Sequence, residues 1–122
     1  MLMAPTLAVA NLLWRNQMRL SDFDIYEIHE AFAGQVLCTL KAWESESYCR
    51  EKLGCDRKLG SIDVAKLNPV GGSVALGHPF AATGGRILAS LSKLLRGTEG
   101  RALISVCTAG GMGIAAIVEG AK

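Results

Sequence analysis

The stretch N-P-V-G-G-S-V-A-L-G-H-P-F-A-A-T-G-G-R, from Asn68 to Arg86, decides the fold prediction. It contains five glycines, one of the chain's two histidines and two of its three prolines. Glycine suits backbone that turns at positive φ or that another group must approach closely. Pro79 suits a first helical position, and apolar residues recur at helical spacing from Ile87 to Leu95. The pattern predicts that His78 lies on a loop at the mouth of a helix that ends near Arg96.

A histidine in that position can accept and release a proton near neutral pH. A short Gly-His-Pro motif alone matches often by chance, and a histidine that merely caps a glycine-rich helix entry is then the simpler interpretation. The length of the stretch favours the interpretation that His78 has a chemical role. A second glycine cluster near the end of the chain favours the same interpretation.

Composition limits the classes of protein to consider. The 122 residues predict a single domain, 1–122, and half of them are hydrophobic. The net charge of +2 and the scattered basic residues argue against nucleic-acid binding, and no apolar run is long enough for a membrane span. The cysteines form neither a C-x-x-C pair nor a zinc spacing, so we expect no metal site and reduced thiols in a cytoplasmic compartment. They are Cys38, Cys49, Cys55 and Cys107.

Hydrophobic periodicity predicts an α/β fold with a mixed sheet and flanking helices, in the order helix, strand, helix, loop, helix, strand, strand. The first strand does not alternate cleanly, which suits a strand covered on both faces. The last two strands are joined by a short turn and should form an antiparallel hairpin. The predicted elements are helix Ala4–Gln17, strand Phe23–Ile28, helix Ala31–Glu44, an irregular segment Ser45–Ala65 with a short helix near Glu46–Leu53, the helix after His78, and strands Arg101–Val106 and Ile114–Glu119.

Two predicted strands end in residues that can carry chemistry. His29 and Glu30 follow the first strand, and residues at the carboxyl ends of strands in open α/β sheets often line a site. A capped helix entry is the alternative for this pair. Cys107 opens a turn of small residues whose amides can point at an oxyanion, and its thiol can exchange a proton with a substrate carbon. A hairpin cysteine chosen for its size is an equal alternative.

Three segments together resemble the C-terminal half of the thiolases, which are acyl-CoA acyltransferases. They are H-E-A-F-A-G-Q (His29–Gln35), the stretch Asn68–Arg86, and C-T-A-G-G-M-G-I-A-A-I-V-E (Cys107–Glu119). They occur in the family's order, and the resemblance covers nearly the whole chain. It implies the second of two similar halves, each a mixed sheet flanked by helices, here without its first strand. It also implies acyl transfer between 3-ketoacyl-CoA and coenzyme A, by thiolytic cleavage or reverse Claisen condensation.

The resemblance also implies roles for four residues. His78 would activate a nucleophilic cysteine as a base, and Cys107 would move the proton at the α-carbon of the acetyl group. His29 occupies a position that is asparagine in many thiolases, where it helps to hold a water in an oxyanion hole. Histidine there is similar to the thiolases of fatty-acid β-oxidation complexes. The backbone N–H of Ala109 would belong to a second oxyanion hole, provided that its φ is negative. No cofactor is implied, because coenzyme A thioesters are substrates.

One part of the family pattern is missing. The nucleophilic cysteine of thiolases lies in the N-terminal half, and none of Cys38, Cys49 and Cys55 fits its role. We therefore expect a C-terminal domain that is inactive alone and whose partners are acyl-CoA, coenzyme A and the missing N-terminal half. Such a domain should expose an apolar surface and form a homo-oligomer. The small residues of Ala81–Gly85 are a candidate for the close contact.

Two other functions are compatible with parts of this pattern. The 3-ketoacyl synthases share the broad fold, and they use two histidines with a cysteine, but the Cys107–Glu119 segment argues against them because it pairs a thiol with a glycine turn. A non-catalytic half-domain that binds acyl-CoA or serves in assembly is the remaining alternative, because the nucleophile is absent.

Overall fold

The computed structural model of the chain describes residues 2–121, and its element order confirms the predicted α/β class. Two single-turn 3-10 helices, Leu20–Asp22 and Val64–Lys66, lie in the connections. The short helix near Glu46–Leu53 is confirmed at those bounds. The regular elements are α1 (Ala4–Arg15), β1 (Ile25–Ile28), α2 (Ala33–Glu44), α3 (Glu46–Leu53), α4 (Ser73–Leu76), α5 (Thr83–Leu94), β2 (Arg101–Thr108) and β3 (Met112–Glu119).

The three strands form one mixed sheet in the order β1-β2-β3. β1 runs parallel to β2, and β2 pairs with β3 as the predicted antiparallel hairpin. Pairing continues to Thr108 opposite Met112, so both strands are longer than predicted. Gly110 and Gly111 have φ of 82° and 77°, a region that glycine enters without steric cost. These two glycines allow the short connection between the strands.

Helices cover both faces of the sheet, as the first strand's pattern predicted. The face under α1 and α2 carries the larger cluster of buried apolar side chains: Val9, Leu13, Leu20, Phe23, Tyr26, Ile28, Val36, Trp43 and Leu103. The opposite face lies under α5 and carries a smaller aliphatic cluster: Ile87, Leu91, Leu95, Ala102 and Ile104. Successive residues of β1 and β2 alternate between the two clusters, as strand geometry requires. The result is a helix–sheet–helix arrangement of three layers.

The prediction that Pro79 opens the long helix was wrong. Helix α5 begins at Thr83, and residues 77–82 form a loop. Ala81 has φ of 65°, a left-handed conformation that no helical turn contains, so the loop cannot continue into the helix before that residue. Upstream, Ser73–Leu76 forms a separate single turn, α4, which the periodicity did not indicate.

The other predicted bounds differ by a few residues at element ends. α1 stops at Arg15 because Gln17 has φ of 55°, and α2 starts at Ala33 because Phe32 is extended. β1 starts at Ile25 rather than at Phe23. Helix ends depend on capping geometry, which apolar periodicity does not report.

Candidate functional site

Asn68 attaches the glycine-rich stretch to the end of β1. Its Nδ2 donates to the carbonyl of Ile28 at 2.9 Å, and its Oδ1 accepts from the N–H of Ile28 at 2.9 Å. Its own N–H donates to the carbonyl of Tyr26 at 2.8 Å. The side-chain amide therefore pairs with the edge of β1 as a neighbouring strand would. Asn68 has φ of 46°, which asparagine tolerates better than most residues.

Glu30 makes a second attachment between β1 and the same stretch. One carboxylate oxygen accepts from Nδ2 of Asn68 at 2.7 Å, and the other accepts from the N–H of Val74 in α4 at 3.0 Å. A methyl group on Gly72 would overlap this carboxylate, so the close approach requires glycine. Glu30 thus fixes the loop that carries His78 beside the strand that carries His29.

His29 is 2% exposed, and its backbone and ring are both held by hydrogen bonds. Its N–H donates to the carbonyl of Ser105 at 2.8 Å, and its Nδ1 lies 3.2 Å from Oγ of Ser73. Burial lowers the pKa of His29, the nearby His78 and Arg86 lower it further, and the Glu30 carboxylate opposes them. The imidazole is therefore neutral at pH 7 and offers one donor nitrogen and one acceptor nitrogen.

His78 lies on the exposed loop, where Thr83 orients its ring. Nδ1 is 2.6 Å from Oγ1 of Thr83, whose hydroxyl donates to the carbonyl of Pro79 at 3.4 Å. A hydroxyl has a single proton, so the Thr83 oxygen accepts from Nδ1–H of His78. With the proton of the neutral tautomer on Nδ1, Nε2 is the nitrogen that can accept a proton, as a general base must. Phe80 packs edge-on against the ring, with centroids 5.1 Å apart.

The structure brings the two predicted histidines into contact. The ring centroids of His29 and His78 are 4.3 Å apart, with an angle of 49° between the planes. This proximity disfavours a positive charge on His29, whose pKa the neighbouring His78 helps to lower. In residues 2–121 no hydrogen bond involves Nε2 of either ring. The pair therefore keeps two nitrogens free for a ligand.

Cys107 lies at the same end of the sheet but on the face under α2. The residue is 5% exposed, and its thiol lies 3.8 Å from Oε1 of Gln35, while Nε2 of Gln35 donates to Oγ1 of Thr39 at 2.9 Å. Burial raises the pKa of the Cys107 thiol. The Cys107 thiol is therefore protonated at neutral pH and can donate its proton as an acid. No hydrogen bond joins it to either histidine within the described part of the chain.

Ala109 begins the β2–β3 turn, and its backbone meets the condition that φ be negative, which the role of its N–H in an oxyanion hole requires. Its residue is exposed, and its φ is not positive, unlike that of the two glycines that follow. An alanine there adopts the backbone without strain, so its N–H remains a usable donor beside the end of β2.

The sequence predicts reduced thiols at the three remaining cysteines. Cys49 is fully buried in α3, and its thiol points at the carbonyls of Ala42 and Trp43. Cys38 and Cys55 are partly buried, and all four thiols are free.

Among residues 2–121 no cluster of three histidine, cysteine or acidic side chains could hold a metal ion. None of the described helices combines the length and the apolar character that crossing a bilayer requires.

The sequence patterns did not identify the side chains that contact and orient His29, His78 and Cys107. Ser73 and Thr83 each lie five positions from His78, and Gln35 lies within the His29–Gln35 segment. Their spacing carries no chemical signature, since small hydroxyl residues near glycine are common in loops. Only the folded positions of α2, α4 and α5 show that these side chains contact His29, His78 and Cys107.

The comparisons with known proteins agree over almost the entire chain. The family model of the thiolase C-terminal domain matches residues 1–120. The 3-ketoacyl-CoA thiolase of Colwellia psychrerythraea is 48% identical over 120 residues, which are 98% of this chain and 28% of that protein. That of Shewanella loihica is 47% identical with the same coverage. The chain thus spans 28% of the length of the curated relatives that it matches.

Solved structures give the same result for the fold. The peroxisomal 3-ketoacyl-CoA thiolase of Saccharomyces cerevisiae superimposes with a TM-score of 0.75 at 37% identity, covering 99% of this chain and 30% of that one. The Acat5 thiolase of Ascaris suum, solved with coenzyme A, gives a TM-score of 0.77 at 29% identity, covering 98% and 27%. The yeast protein is described as five layers constructed from two core domains of identical topology. Because the model of the thiolase C-terminal domain matches 120 of the 122 residues, this chain belongs to the thiolase C-terminal domain family.

Proposed function

We propose that the chain is the C-terminal catalytic half of a thiolase and transfers acyl groups between 3-ketoacyl-CoA and coenzyme A. The observation that carries the proposal is the pair of contacting imidazoles, one buried and neutral, the other exposed with a free Nε2. The relatives in Colwellia and Shewanella bear the name 3-ketoacyl-CoA thiolase, which supports this substrate class.

In the cleavage direction His78 acts first. Its Nε2 takes the proton of a cysteine thiol supplied by the upstream half, and the thiolate attacks the 3-keto carbonyl carbon. The bond between C2 and C3 then breaks, and its electron pair stays on C2 as the enolate of acetyl-CoA. The Cys107 thiol gives its proton to C2, which releases acetyl-CoA. The shortened acyl group remains on the nucleophile as a thioester.

The second step returns the enzyme to its starting state. The Cys107 thiolate takes the proton of coenzyme A, whose sulfur attacks the acyl-enzyme carbonyl. The nucleophilic cysteine leaves and regains its proton from His78. Negative charge develops on a thioester or enolate oxygen in both steps, so two donor sites are needed. In this proposal His29 belongs to one donor site and the N–H of Ala109 to the other.

The surface around the two histidines supports assembly with the upstream half. Several large apolar side chains in the two segments that carry the histidines, His29–Gln35 and Asn68–Arg86, are exposed: Phe32, Val70, Val74, Leu76 and Phe80. Exposed apolar surface of this kind marks a contact region in a soluble protein. The yeast peroxisomal thiolase is described as dimeric, and we extend that state to the assembled protein. We also infer fatty-acid degradation in the cytoplasm as its setting, on the resemblance carried by His29.

A complementation assay tests the proposal. The chain is mixed with a matching N-terminal thiolase half, and loss of 3-ketoacyl-CoA absorbance is followed with each half alone as the blank. Activity should need both halves and should fall by about 100-fold or more in His78→Ala and Cys107→Ala. Cys38→Ala, which changes a cysteine outside the site, should retain activity.

The alternative function makes the opposite prediction in the same assay. A non-catalytic half-domain would associate with the upstream half or bind acyl-CoA and yield no thiolysis. The absence of a suitable nucleophile among Cys38, Cys49 and Cys55 is the observation that favours it. Demonstrated association without turnover would therefore contradict the catalytic proposal.

A further inference from the structure

We propose that Ser73 is a positioning residue that fixes the tautomer of His29, with the ring proton on Nε2. His29 is then a hydrogen-bond donor at the nitrogen that remains free for a ligand. The tautomer itself does not depend on the proposed function, whereas its use in an oxyanion hole does.

The hydrogen bond between the two residues has one favourable direction. Oγ of Ser73 lies 3.2 Å from Nδ1 of His29, and both residues are buried, at 7% and 2% exposure. In the described part of the chain, this ring nitrogen is the only partner of the Ser73 hydroxyl. If Nδ1–H donated to Ser73, the serine proton would be left buried without an acceptor, which costs free energy. If the serine donates, its proton is paired and Nδ1 is the bare nitrogen.

Both partners are held in place by contacts that do not involve the ring. Ser73 is the first residue of α4, and Glu30 accepts from the next residue, Val74, at 3.0 Å. The backbone of His29 donates to Ser105 at 2.8 Å. Because strand and turn are fixed independently, the serine hydroxyl meets Nδ1 without an adjustment by either element. This rigidity is what a positioning role requires.

The neighbouring histidine has the complementary arrangement. Thr83 accepts from Nδ1–H of His78, so the free Nε2 of His78 is an acceptor, whereas the free Nε2 of His29 is a donor. With the opposite tautomer of His29, both free nitrogens would be acceptors and the pair could stabilise no negative oxygen. Ser73 therefore determines whether the two free ring nitrogens are both acceptors or are one donor and one acceptor.

Nitrogen NMR on the histidine side chains tests the assignment directly. The chain has only two histidines, so ¹⁵N-histidine labelling gives two ring systems, and His78→Gln identifies the signals of His29. In the wild type at neutral pH the proton of His29 should be on Nε2. Ser73→Ala should populate the Nδ1–H tautomer, which moves the two nitrogen shifts of His29 towards each other, while Ser73→Thr should restore the wild-type pattern.

Ser105→Ala is the matched control. It removes a second buried serine hydroxyl next to the same strand, one that has no hydrogen-bond partner among the residues that the structure describes. It should leave the shifts of His29 unchanged. A wild-type proton on Nδ1, or a Ser73→Ala spectrum that matches the wild type, overturns the proposal.

The complementation assay separates this inference from the proposed function. In an active assembly Ser73→Ala should lower kcat with little change in KM, by less than the roughly 100-fold that loss of an oxyanion donor costs. If the assembly is inactive while the spectra follow the predicted pattern, the proposed function fails and the assignment of the tautomer stands. If the assembly is active and the spectra do not respond, the assignment alone fails.

Discussion

The two faces of the sheet differ in how completely their side chains are satisfied. Under α1 and α2, aromatic and aliphatic residues fill a continuous core, and Nε1 of Trp43 reaches the carbonyl of Thr6. Under α5 the aliphatic cluster is smaller, and Leu88 on that helix is half exposed. His78 lies on the loop that leads into α5, and its ring contacts the ring of His29 at the end of β1. The contrast teaches that the face under α1 and α2 supplies more of the stability, while the histidine pair lies beside the less completely filled α5 face and Cys107 lies under α2.

Buried charge sharpens this difference. Glu27 faces α5 at 1% exposure, and its Oε1 has no hydrogen-bond partner among the described residues. Nε and Nη1 of Arg86 on α5 are likewise buried and unpaired there. Burial raises the pKa of Glu27, the positive charge of Arg86 opposes that rise, and Glu30 adds to it. Unpaired buried polar atoms cost free energy, so the α5 face contributes less to the stability of the fold.

The largest effect is expected from a change to the filled face. Trp43→Ala removes a side chain that is fully buried, so it should lower the free energy of unfolding by about 3–5 kcal/mol. Urea denaturation followed by circular dichroism measures this. Trp14→Ala, at a residue 80% exposed on α1, is the control and should change stability by no more than about 0.5 kcal/mol. Equal losses in both variants would contradict the assignment of the core to this face.

The second prediction concerns the edge where the site is attached. Asn68→Ala leaves the N–H and carbonyl of Ile28 without their side-chain partners, which should cost about 1–3 kcal/mol. Asn16→Ala, whose amide makes one exposed bond to Leu12, should cost less than about 0.5 kcal/mol. Denaturant midpoints of the two variants compare them. A loss in Asn68→Ala no larger than in Asn16→Ala would show that the edge contact is dispensable.

The third prediction concerns the charged side of the comparison. The raised pKa means that folded Glu27 holds its proton more tightly than unfolded Glu27, whose pKa is near 4.5. Stability should therefore fall as pH rises from below 4.5 through the raised pKa. Glu27→Gln removes this fall, so the variant should be more stable than the wild type at neutral pH, with a difference that shrinks in acid. Thermal melts from pH 4 to 8 test it, with the exposed Glu51→Gln as control.

The smallest effect is expected in the loop that leads into α5. Ala81 has φ of 65°, where a side chain costs about 1–2 kcal/mol and glycine costs nothing. Glycine also gains entropy in the unfolded chain, so Ala81→Gly should stabilise the fold by less than about 1 kcal/mol. Ala89→Gly, at an exposed position inside α5, should instead destabilise the fold by about 1 kcal/mol. Melting temperatures that fall in both variants would count against strain at Ala81.

Much of the fold could be predicted because its signals are local. Apolar periodicity located the three strands and the longer helices, and the short turn between β2 and β3 predicted their antiparallel pairing. The helix after His78 was misplaced at its start because Pro79 is compatible with a first helical turn but does not enforce one. The helix starts only after Ala81, because the backbone of that residue is left-handed. No pattern in the sequence indicates this conformation at an alanine.

Motifs and strand-end positions indicate the candidate site residues but not the side chains that orient them. The sequence points to His29, His78, Cys107 and Ala109, and the structure places the two imidazoles in contact. Their roles stay predictions. The hydroxyl and amide groups that orient them belong to other elements, and their alignment results from packing across the sheet. Long-range contacts of this kind leave no spacing rule in the sequence.

The pairing of the Asn68 amide with β1 also affects which edge of the sheet another strand can join. Leu67 bridges to Tyr26, and Asn68 occupies the hydrogen-bonding groups of Ile28, so the outer side of β1 is already paired along most of its length. Edge strands with free hydrogen-bonding groups are templates for another chain. Within residues 2–121 the outer side of β3 has no neighbouring strand. Lateral growth of this sheet, whether by assembly or by aggregation, is therefore directed to β3.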